Sequence, residues 1–133
     1  DSKYRTIADR KSRAMAGLSM GGGQSWSIGL KHPEVFANIG IFSSGMFGGV
    51  TYKPFDLATE LPELLADPQA FNDNLDLFYI SCGETDPRIT HTKTAVEAMR
   101  EKGAEIHFSA FPGGHEWQPW RKSLHEMVQM LFK

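Results

Sequence analysis

Four short apolar runs alternate with helix-like stretches along this chain. The runs cover residues 14–18, 39–42, 75–82 and 106–110. Such alternation is typical of a parallel β-sheet, because a chain that leaves one parallel strand must cross over, usually through a helix, to start the next. In the fourth run apolar and polar residues alternate, which indicates a half-exposed strand at the edge of the sheet. The sequence therefore predicts an α/β domain with about four parallel strands and flanking helices over residues 1–133.

Helices are predicted over residues 22–32, 90–102 and 117–132. The first is expected to end at His32, because the residue before a proline avoids the helical conformation. The second ends at Gly103, a residue favoured just past a helix C-terminus. Residues 43–74 are rich in glycine and proline, which predicts a loop followed by short helical turns. The last helix carries an apolar stripe predicted to be buried, namely Trp120, Leu124, Met127, Val128 and Leu131.

Charge and composition exclude several classes of partner. Fourteen Lys and Arg residues against sixteen Asp and Glu give a formal charge of -2, so we expect no nucleic-acid partner. No apolar run approaches the roughly 18 residues that span a bilayer, so no membrane partner is expected. The single cysteine, Cys82, excludes an internal disulfide and is predicted to be an inert core thiol. Histidines 32, 91, 107 and 125 lack ligand-like spacing, so neither a metal nor another cofactor is expected.

A G-x-S-x-G pentapeptide spans residues 17–21. The pattern alone is a weak signal, but here it joins the end of the first predicted strand to a glycine-rich helix start. That is the strand-to-helix turn on which a nucleophilic serine, Ser19, is held exposed. A Cβ at Gly17 or Gly21 is expected to collide with the neighbouring strand or helix. The backbone N–H of Met20 is placed to receive a developing oxyanion.

A serine hydroxyl needs a base to remove its proton and a carboxylate to orient that base. Asp86 follows the third predicted strand and His115 follows the fourth. The order serine, acid, histidine is that of the α/β-hydrolase arrangement. Because parallel strands present their carboxyl ends at one edge of the sheet, we expect Ser19, Asp86 and His115 to converge there. Glu84, two residues before Asp86, is a competing candidate for the acid.

Three segments carry a family resemblance: GLSMGGGQS, SCGETDPR and GGHEWQPWR. Over essentially the whole chain they resemble the feruloyl and acetyl-xylan esterases of the esterase D-like α/β-hydrolases. The resemblance implies the C-terminal part of an α/β-hydrolase fold, with Ser19 as nucleophile, Asp86 as acid, His115 as base and the Met20 N–H as oxyanion donor. It also implies a serine carboxylesterase that hydrolyses aryl (feruloyl) or acetyl esters on plant cell-wall polysaccharide through an acyl-enzyme. No cofactor is implied, and the expected setting is extracellular or periplasmic.

Aromatic residues near these positions are candidates for substrate binding. Trp117 closely follows His115, and Phe47 and Tyr52 follow the second strand, so all three are predicted to line the ester site. Packing in the core or beneath the loop is the alternative for each of them. The same catalytic residues also fit a siderophore esterase, an S-formylglutathione hydrolase or an acyltransferase. A non-catalytic fragment that acts only in assembly or carbohydrate binding is the alternative outside the enzymes.

The position of the pentapeptide is unusual for the family it resembles. In α/β-hydrolases the serine turn follows several earlier strands, and the second oxyanion N–H comes from a loop upstream of it. Here the serine is residue 19. The resemblance therefore implies that the N-terminal strands are missing and that the isolated chain is weak or inactive, because losing one oxyanion donor costs about 10²- to 10³-fold in turnover. The unpaired first strand is expected to favour self-association or pairing with the missing N-terminal half.

Overall fold

A four-stranded parallel sheet with strand order β1-β2-β3-β4 forms the centre of the protein. The structure, a computed structural model, describes residues 2–50 and 53–133. The strands are β1 (Ala14–Leu18), β2 (Asn38–Phe42), β3 (Leu77–Gly83) and β4 (His107–Phe111). In the described part of the chain β1 and β4 are the edges of the sheet. The predicted parallel sheet with flanking helices is confirmed.

Six α-helices flank the sheet within the described ranges. They are α1 (Met20–Gln24), α2 (Leu57–Glu60), α3 (Pro62–Ala66), α4 (Pro68–Asp73), α5 (Ile89–Glu101) and α6 (Trp117–Met130). Short 3₁₀ turns cover Arg10–Ser12 and Gly45–Phe47. The carboxylates of Asp56 and Asp67 cap α2 and α4, which is why this glycine- and proline-rich region forms short helices. No helix formed by the described residues is long and apolar enough to cross a bilayer.

The helix predicted over residues 22–32 has a different form in the structure. It begins two residues earlier as α1 and continues as a π-helix, Ser25–Gly29. The π-helical turn contains Trp26, whose buried ring makes edge contacts with Phe47 at 5.5 Å and Phe55 at 5.8 Å between centroids. Hydrophobic periodicity in the sequence does not reveal a π-helical turn, because the partners of Trp26 in this turn lie in distant parts of the chain.

The two faces of the sheet are covered by separate apolar clusters. The larger cluster joins β2 and β3 residues such as Ile39 and Ile80 to Val96 and Met99 of α5. The smaller one is formed by Phe42, Tyr79 and Met127, the last from α6. Gly40 permits this contact, since a Cβ there would lie 2.4 Å from the Met127 sulfur. Strands β2 and β3 are therefore buried on both faces, which explains their apolar sequences.

The apolar stripe predicted for α6 is partly wrong. Leu124 and Val128 are 52% and 49% exposed, although Met127 is buried and Trp120 and Leu131 pack against the smaller cluster. The row of α6 that faces the sheet consists of Pro119, Ser123 and Met127, spaced four residues apart. Leu124 and Val128 each lie about 100° around the helix from that row, since a helix has 3.6 residues per turn.

Candidate active site

Ser19 lies in the tight turn between β1 and α1. Its backbone has a φ of 54°, a left-handed conformation that side chains other than glycine rarely adopt. The Ser19 N–H donates to the Phe42 carbonyl at 2.8 Å, and the Ser19 carbonyl accepts from the Gly22 N–H at 3.1 Å. The turn is thus fixed both to β2 and to the first turn of α1. Strain of this kind persists only where the surrounding structure imposes it, and it is common at functional sites.

The two glycines of the pentapeptide have different roles, contrary to the expectation from the sequence. A Cβ on Gly17 would lie 2.2 Å from the carbonyl oxygen of Gly21 and 2.3 Å from its carbonyl carbon. A Cβ on Gly21 would meet nothing within 4 Å. The expected collision therefore occurs at Gly17 but not at Gly21, because the close approach is made by the backbone of residue 21 and its own side-chain position faces open space.

Asp86 lies in the turn between β3 and α5, and its side chain is fully buried. Its Oδ1 accepts hydrogen bonds from the Arg88 backbone N–H at 3.0 Å and the Arg88 guanidinium at 2.9 Å. Its Oδ2 lies 2.8 Å from Nδ1 of His115. Burial raises the pKa of Asp86, but the hydrogen bonds and the charge of Arg88 and the hydrogen bond of His115 lower it by more. The pKa of Asp86 therefore lies below its ordinary value. Glu84, the competing candidate, is exposed.

His115 follows β4 and connects Asp86 to Ser19. Its Nδ1 is 2.8 Å from Asp86 Oδ2, and its Nε2 is 2.8 Å from the Ser19 hydroxyl oxygen. An ionised carboxylate accepts a hydrogen bond from Nδ1–H, which leaves the Nε2 lone pair free to accept from the serine hydroxyl. The edge of the imidazole ring packs against Trp120, with 5.0 Å between centroids. The structure thus brings together the three side chains that the sequence placed at three separate strand ends.

The loops that carry Asp86 and His115 meet backbone to backbone. A Cβ on Gly83 would lie 2.4 Å from the carbonyl oxygens of both Gly113 and Gly114. Across the same junction the Thr85 N–H donates to the Gly113 carbonyl at 3.0 Å. Gly113 has a φ of 117°, which favours glycine. Because Gly83 has no side chain, the two loops can touch backbone to backbone.

A cleft of about 430 Å³ opens beside Ser19. Apolar side chains of Met20, Met46 and Val50 contribute to its lining, together with the polar side chains of Gln24 and Arg88. The Met20 side chain is exposed, and its backbone N–H donates to no protein acceptor among the described residues. Except for Met20, these lining residues were not predicted from the sequence. The turn between β3 and α5 contains a proline and has no periodic pattern, so the sequence did not predict that the Arg88 side chain would line the cleft.

The predicted substrate-binding aromatic residues have different positions. Phe47 is 2% exposed and packs in the core against Trp26 and Phe55, so it does not form a wall of the cleft beside Ser19. Tyr52 lies outside the described residues. Trp117 is 67% exposed and does not line that cleft either, but its ring lies 5.4 Å from that of Trp120. Since Trp120 contacts His115, Trp117 lies near the imidazole at the protein surface.

Cys82, the thiol at the end of β3, is buried as predicted. Burial and the nearby charge of Asp86 raise the pKa of its thiol to about 11. Among residues 2–50 and 53–133 no group of three or more His, Cys, Asp or Glu side chains is arranged to hold a metal ion.

A comparison with family models identifies the family of the chain. The model of the Esterase family matches residues 1–131. This chain belongs to the Esterase family. It is 34% identical over 134 residues to an endo-1,4-beta-xylanase/feruloyl esterase of Xylanibacter ruminicola, a match that covers 100% of this chain and 16% of that protein.

Solved structures of other esterases share the fold. A ferulic acid esterase superimposes with a TM-score of 0.75 at 25% identity over 98% of this chain and 55% of the other. An S-formylglutathione hydrolase from Staphylococcus aureus gives a TM-score of 0.71 at 18% identity, over 97% of this chain and 58% of the other, which shows the fold alone. The chain thus spans slightly more than half of each solved structure. The family match, the relative from Xylanibacter ruminicola and the ferulic acid esterase structure confirm the predicted resemblance to the feruloyl esterase group.

Proposed function

We propose that this esterase chain carries the catalytic site of a serine carboxylesterase that acts on aryl (feruloyl) or acetyl esters of plant cell-wall polysaccharide. In this proposal Ser19 is the nucleophile, His115 the base and Asp86 the acid. The main support is the continuous chain of hydrogen bonds from the Ser19 hydroxyl to His115 and on to Asp86, each 2.8 Å long. A base within about 2.6–3.2 Å of the proton it must remove is the geometric requirement for this chemistry.

The reaction follows from the proton positions in this chain of contacts. Nε2 of His115 takes the hydroxyl proton as the Ser19 oxygen attacks the ester carbonyl carbon. The resulting imidazolium is stabilised by the buried carboxylate of Asp86, whose lowered pKa keeps it ionised at neutral pH. The imidazolium then gives its proton to the departing alcohol oxygen, which leaves an acyl group on Ser19. Water, activated by the same imidazole, releases the acid and regenerates the serine.

The carbonyl oxygen becomes an oxyanion during both attacks. The N–H of Met20 is the proposed donor to it, supported by its place at the start of α1 next to Ser19 and by its lack of a protein acceptor among the described residues. Such a donor contributes most in the transition state, because the negative charge develops only there.

The substrate class is supported by the names of the relatives. One is named an endo-1,4-beta-xylanase/feruloyl esterase and another a ferulic acid esterase. The apolar side chains of Met20, Met46 and Val50 in the cleft are suitable contacts for an aryl acid. Because the polysaccharide lies outside cells, we propose an extracellular or periplasmic site of action.

Fluorophosphonate labelling tests the nucleophile directly. Wild-type protein is expected to be labelled at one serine, and Ser19→Ala should not be labelled, whereas the matched control Ser12→Ala should react like wild type. Hydrolysis rates on methyl ferulate, 4-nitrophenyl acetate and S-formylglutathione then identify the preferred substrate class. Labelling that persists in Ser19→Ala, or a wild-type protein that reacts no faster than Ser19→Ala, would contradict the serine mechanism. A clear preference for the thioester would contradict the proposed substrate.

A further inference from the structure

We propose that Arg88 is a positioning residue that fixes the orientation and the negative charge of Asp86 and, through Asp86, the imidazole of His115. The inference rests on the proposed function of Ser19, His115 and Asp86. It goes beyond that proposal because it assigns a role to a side chain that the serine mechanism does not itself require.

The first argument is the division of the Asp86 oxygens. Oδ1 is taken entirely by Arg88, through the backbone N–H at 3.0 Å and the guanidinium at 2.9 Å. Oδ2 is thereby left for His115 at 2.8 Å. A carboxylate held at one oxygen by a charged donor cannot rotate without breaking that contact, so the other oxygen keeps its direction.

The second argument is that Arg88 is itself held in place. Its backbone lies at the start of α5, where its carbonyl accepts from the Thr92 N–H at 2.9 Å and the Thr92 hydroxyl at 2.8 Å. The backbone of Gly49 packs closely against that of Arg88, since a Cβ on Gly49 would lie 3.0 Å from the Arg88 Cα. The Arg88 side chain is only 15% exposed. The Arg88 backbone is thus fixed, and the low exposure of the side chain restricts the space in which the guanidinium can move.

The third argument is electrostatic. The Asp86 side chain has no exposed surface, and an unpaired buried carboxylate is strongly disfavoured. Within residues 2–50 and 53–133, the titratable groups that face it are His115 from the loop after β4, Cys82 from β3 and Arg88 from its own turn. Cys82 stays neutral because burial raises its pKa to about 11. Arg88 is therefore the permanent cation beside the Asp86–His115 pair.

Arg88 also contributes to the lining of the cleft beside Ser19, and its buried Nε has no hydrogen-bond partner among the described residues. Loss of Arg88 can therefore change substrate binding as well as the orientation and charge of Asp86. The two effects differ in their readout, since contact with substrate affects KM, whereas support of Asp86 affects the pH dependence of the reaction at Ser19.

The test compares Arg88→Met and Arg88→Lys with Arg121→Met, which removes one positive charge from an exposed position on α6. The readout is the rate constant of fluorophosphonate labelling between pH 4 and pH 9. Removing a cation favours the protonated forms of the Asp86–His115 pair, so Arg88→Met should move the acid limb up by roughly one pH unit. It should also lower the plateau roughly tenfold, because the imidazole is less well oriented. Arg88→Lys should recover part of both effects, and Arg121→Met should match wild type.

A second readout does not depend on catalysis. The side-chain carboxyl carbon of Asp86, followed by NMR during a pH titration, should titrate at higher pH in Arg88→Met than in wild type, with Arg88→Lys between them. Arg88→Lys retains the charge and provides the comparison if Arg88→Met does not fold. An Asp86 titration that is unchanged in a folded Arg88 variant overturns the positioning role. Failure of wild-type protein to be labelled at Ser19 would instead overturn the proposed function, and the NMR comparison would still decide the role of Arg88.

Discussion

The asymmetry between Gly17 and Gly21 leads to a prediction about the serine turn. Gly17→Ala should be severely destabilising, whereas Gly21→Ala, a change of the same size four residues away, should be tolerated. The Cβ added by Gly17→Ala would lie 2.2, 2.3 and 2.8 Å from three backbone atoms of Gly21, and none of these atoms can rotate away. Relief requires α1 to move away from β1, which would displace Ser19 from His115.

The magnitude follows from packing energetics. Overpacking a core by one methyl group costs about 1–3 kcal/mol when side chains can adjust. Because the colliding atoms at Gly17 are backbone, we expect Gly17→Ala to cost at least about 3 kcal/mol. At Gly21 the new methyl group meets nothing within 4 Å, and the residue lies in α1. Alanine is better than glycine in a helix by up to about 1 kcal/mol, so Gly21→Ala should range from neutral to slightly stabilising.

Urea unfolding, followed by tryptophan fluorescence, measures both free energies, because Trp26 is buried in the folded state. The labelling rate at Ser19 supplies the functional readout: Gly17→Ala should lose at least about 100-fold, since a displacement of about 1 Å at a catalytic group costs that much. A Gly17→Ala protein with wild-type stability and labelling would refute the reasoning. Equal damage from Gly21→Ala would refute it as well.

Three further predictions concern the acid, the thiol and the surface tryptophan. The folded-state pKa of Asp86 lies below its ordinary value of 3.8, so the ionised carboxylate stabilises the fold above that pH. This stabilisation is lost as the pH falls through the lower folded-state pKa. Urea midpoints between pH 6 and pH 2.5 should show the loss in wild type and not in Asp86→Asn. Cys82, with a pKa of about 11, should react with a disulfide reagent at pH 7.5 more than ~100-fold slower in native than in urea-unfolded protein, and equal rates would contradict its burial. Trp117→Ala should change the unfolding free energy by less than about 0.5 kcal/mol, because the side chain is 67% exposed, whereas Trp26→Ala should cost about 3–5 kcal/mol. A few-fold rise in KM for Trp117→Ala would support the contact with substrate that the sequence predicted for Trp117, and an unchanged KM would contradict that contact.

The sheet could be predicted from the sequence because its signals are local. β1 is found over the predicted residues, β2 begins one residue earlier than predicted, and β4 is shifted by one residue at both ends. The strand ends then determined which polar residues would meet, since parallel strands share a carboxyl edge. The contacts of Ser19, Asp86 and His115 could be anticipated in this way, whereas their distances could not.

Features that depend on long-range packing were not accessible in this way. The burial of Phe47 results from contacts with Trp26 and Phe55, which the periodicity of its own segment does not reveal. The exposure of Leu124 follows from which row of α6 faces the sheet, and this depends on contacts with distant strands, such as that of Met127 with Gly40 on β2. The contact of Arg88 with Asp86 depends on how the turn before α5 folds back, so the sequence pattern gave no indication of it.

The junction at Gly83 makes the acid and the base one mechanical unit. Because the two loops abut through their main chains, a small tilt of either one should carry the other with it and leave the carboxylate–imidazole spacing unchanged. Ser19 lies between β1 and α1, and its N–H donates to the carbonyl of Phe42 on β2. A shift of β1 and α1 relative to this unit would therefore change the distance between Ser19 and His115 before it changed the distance between the carboxylate and the imidazole.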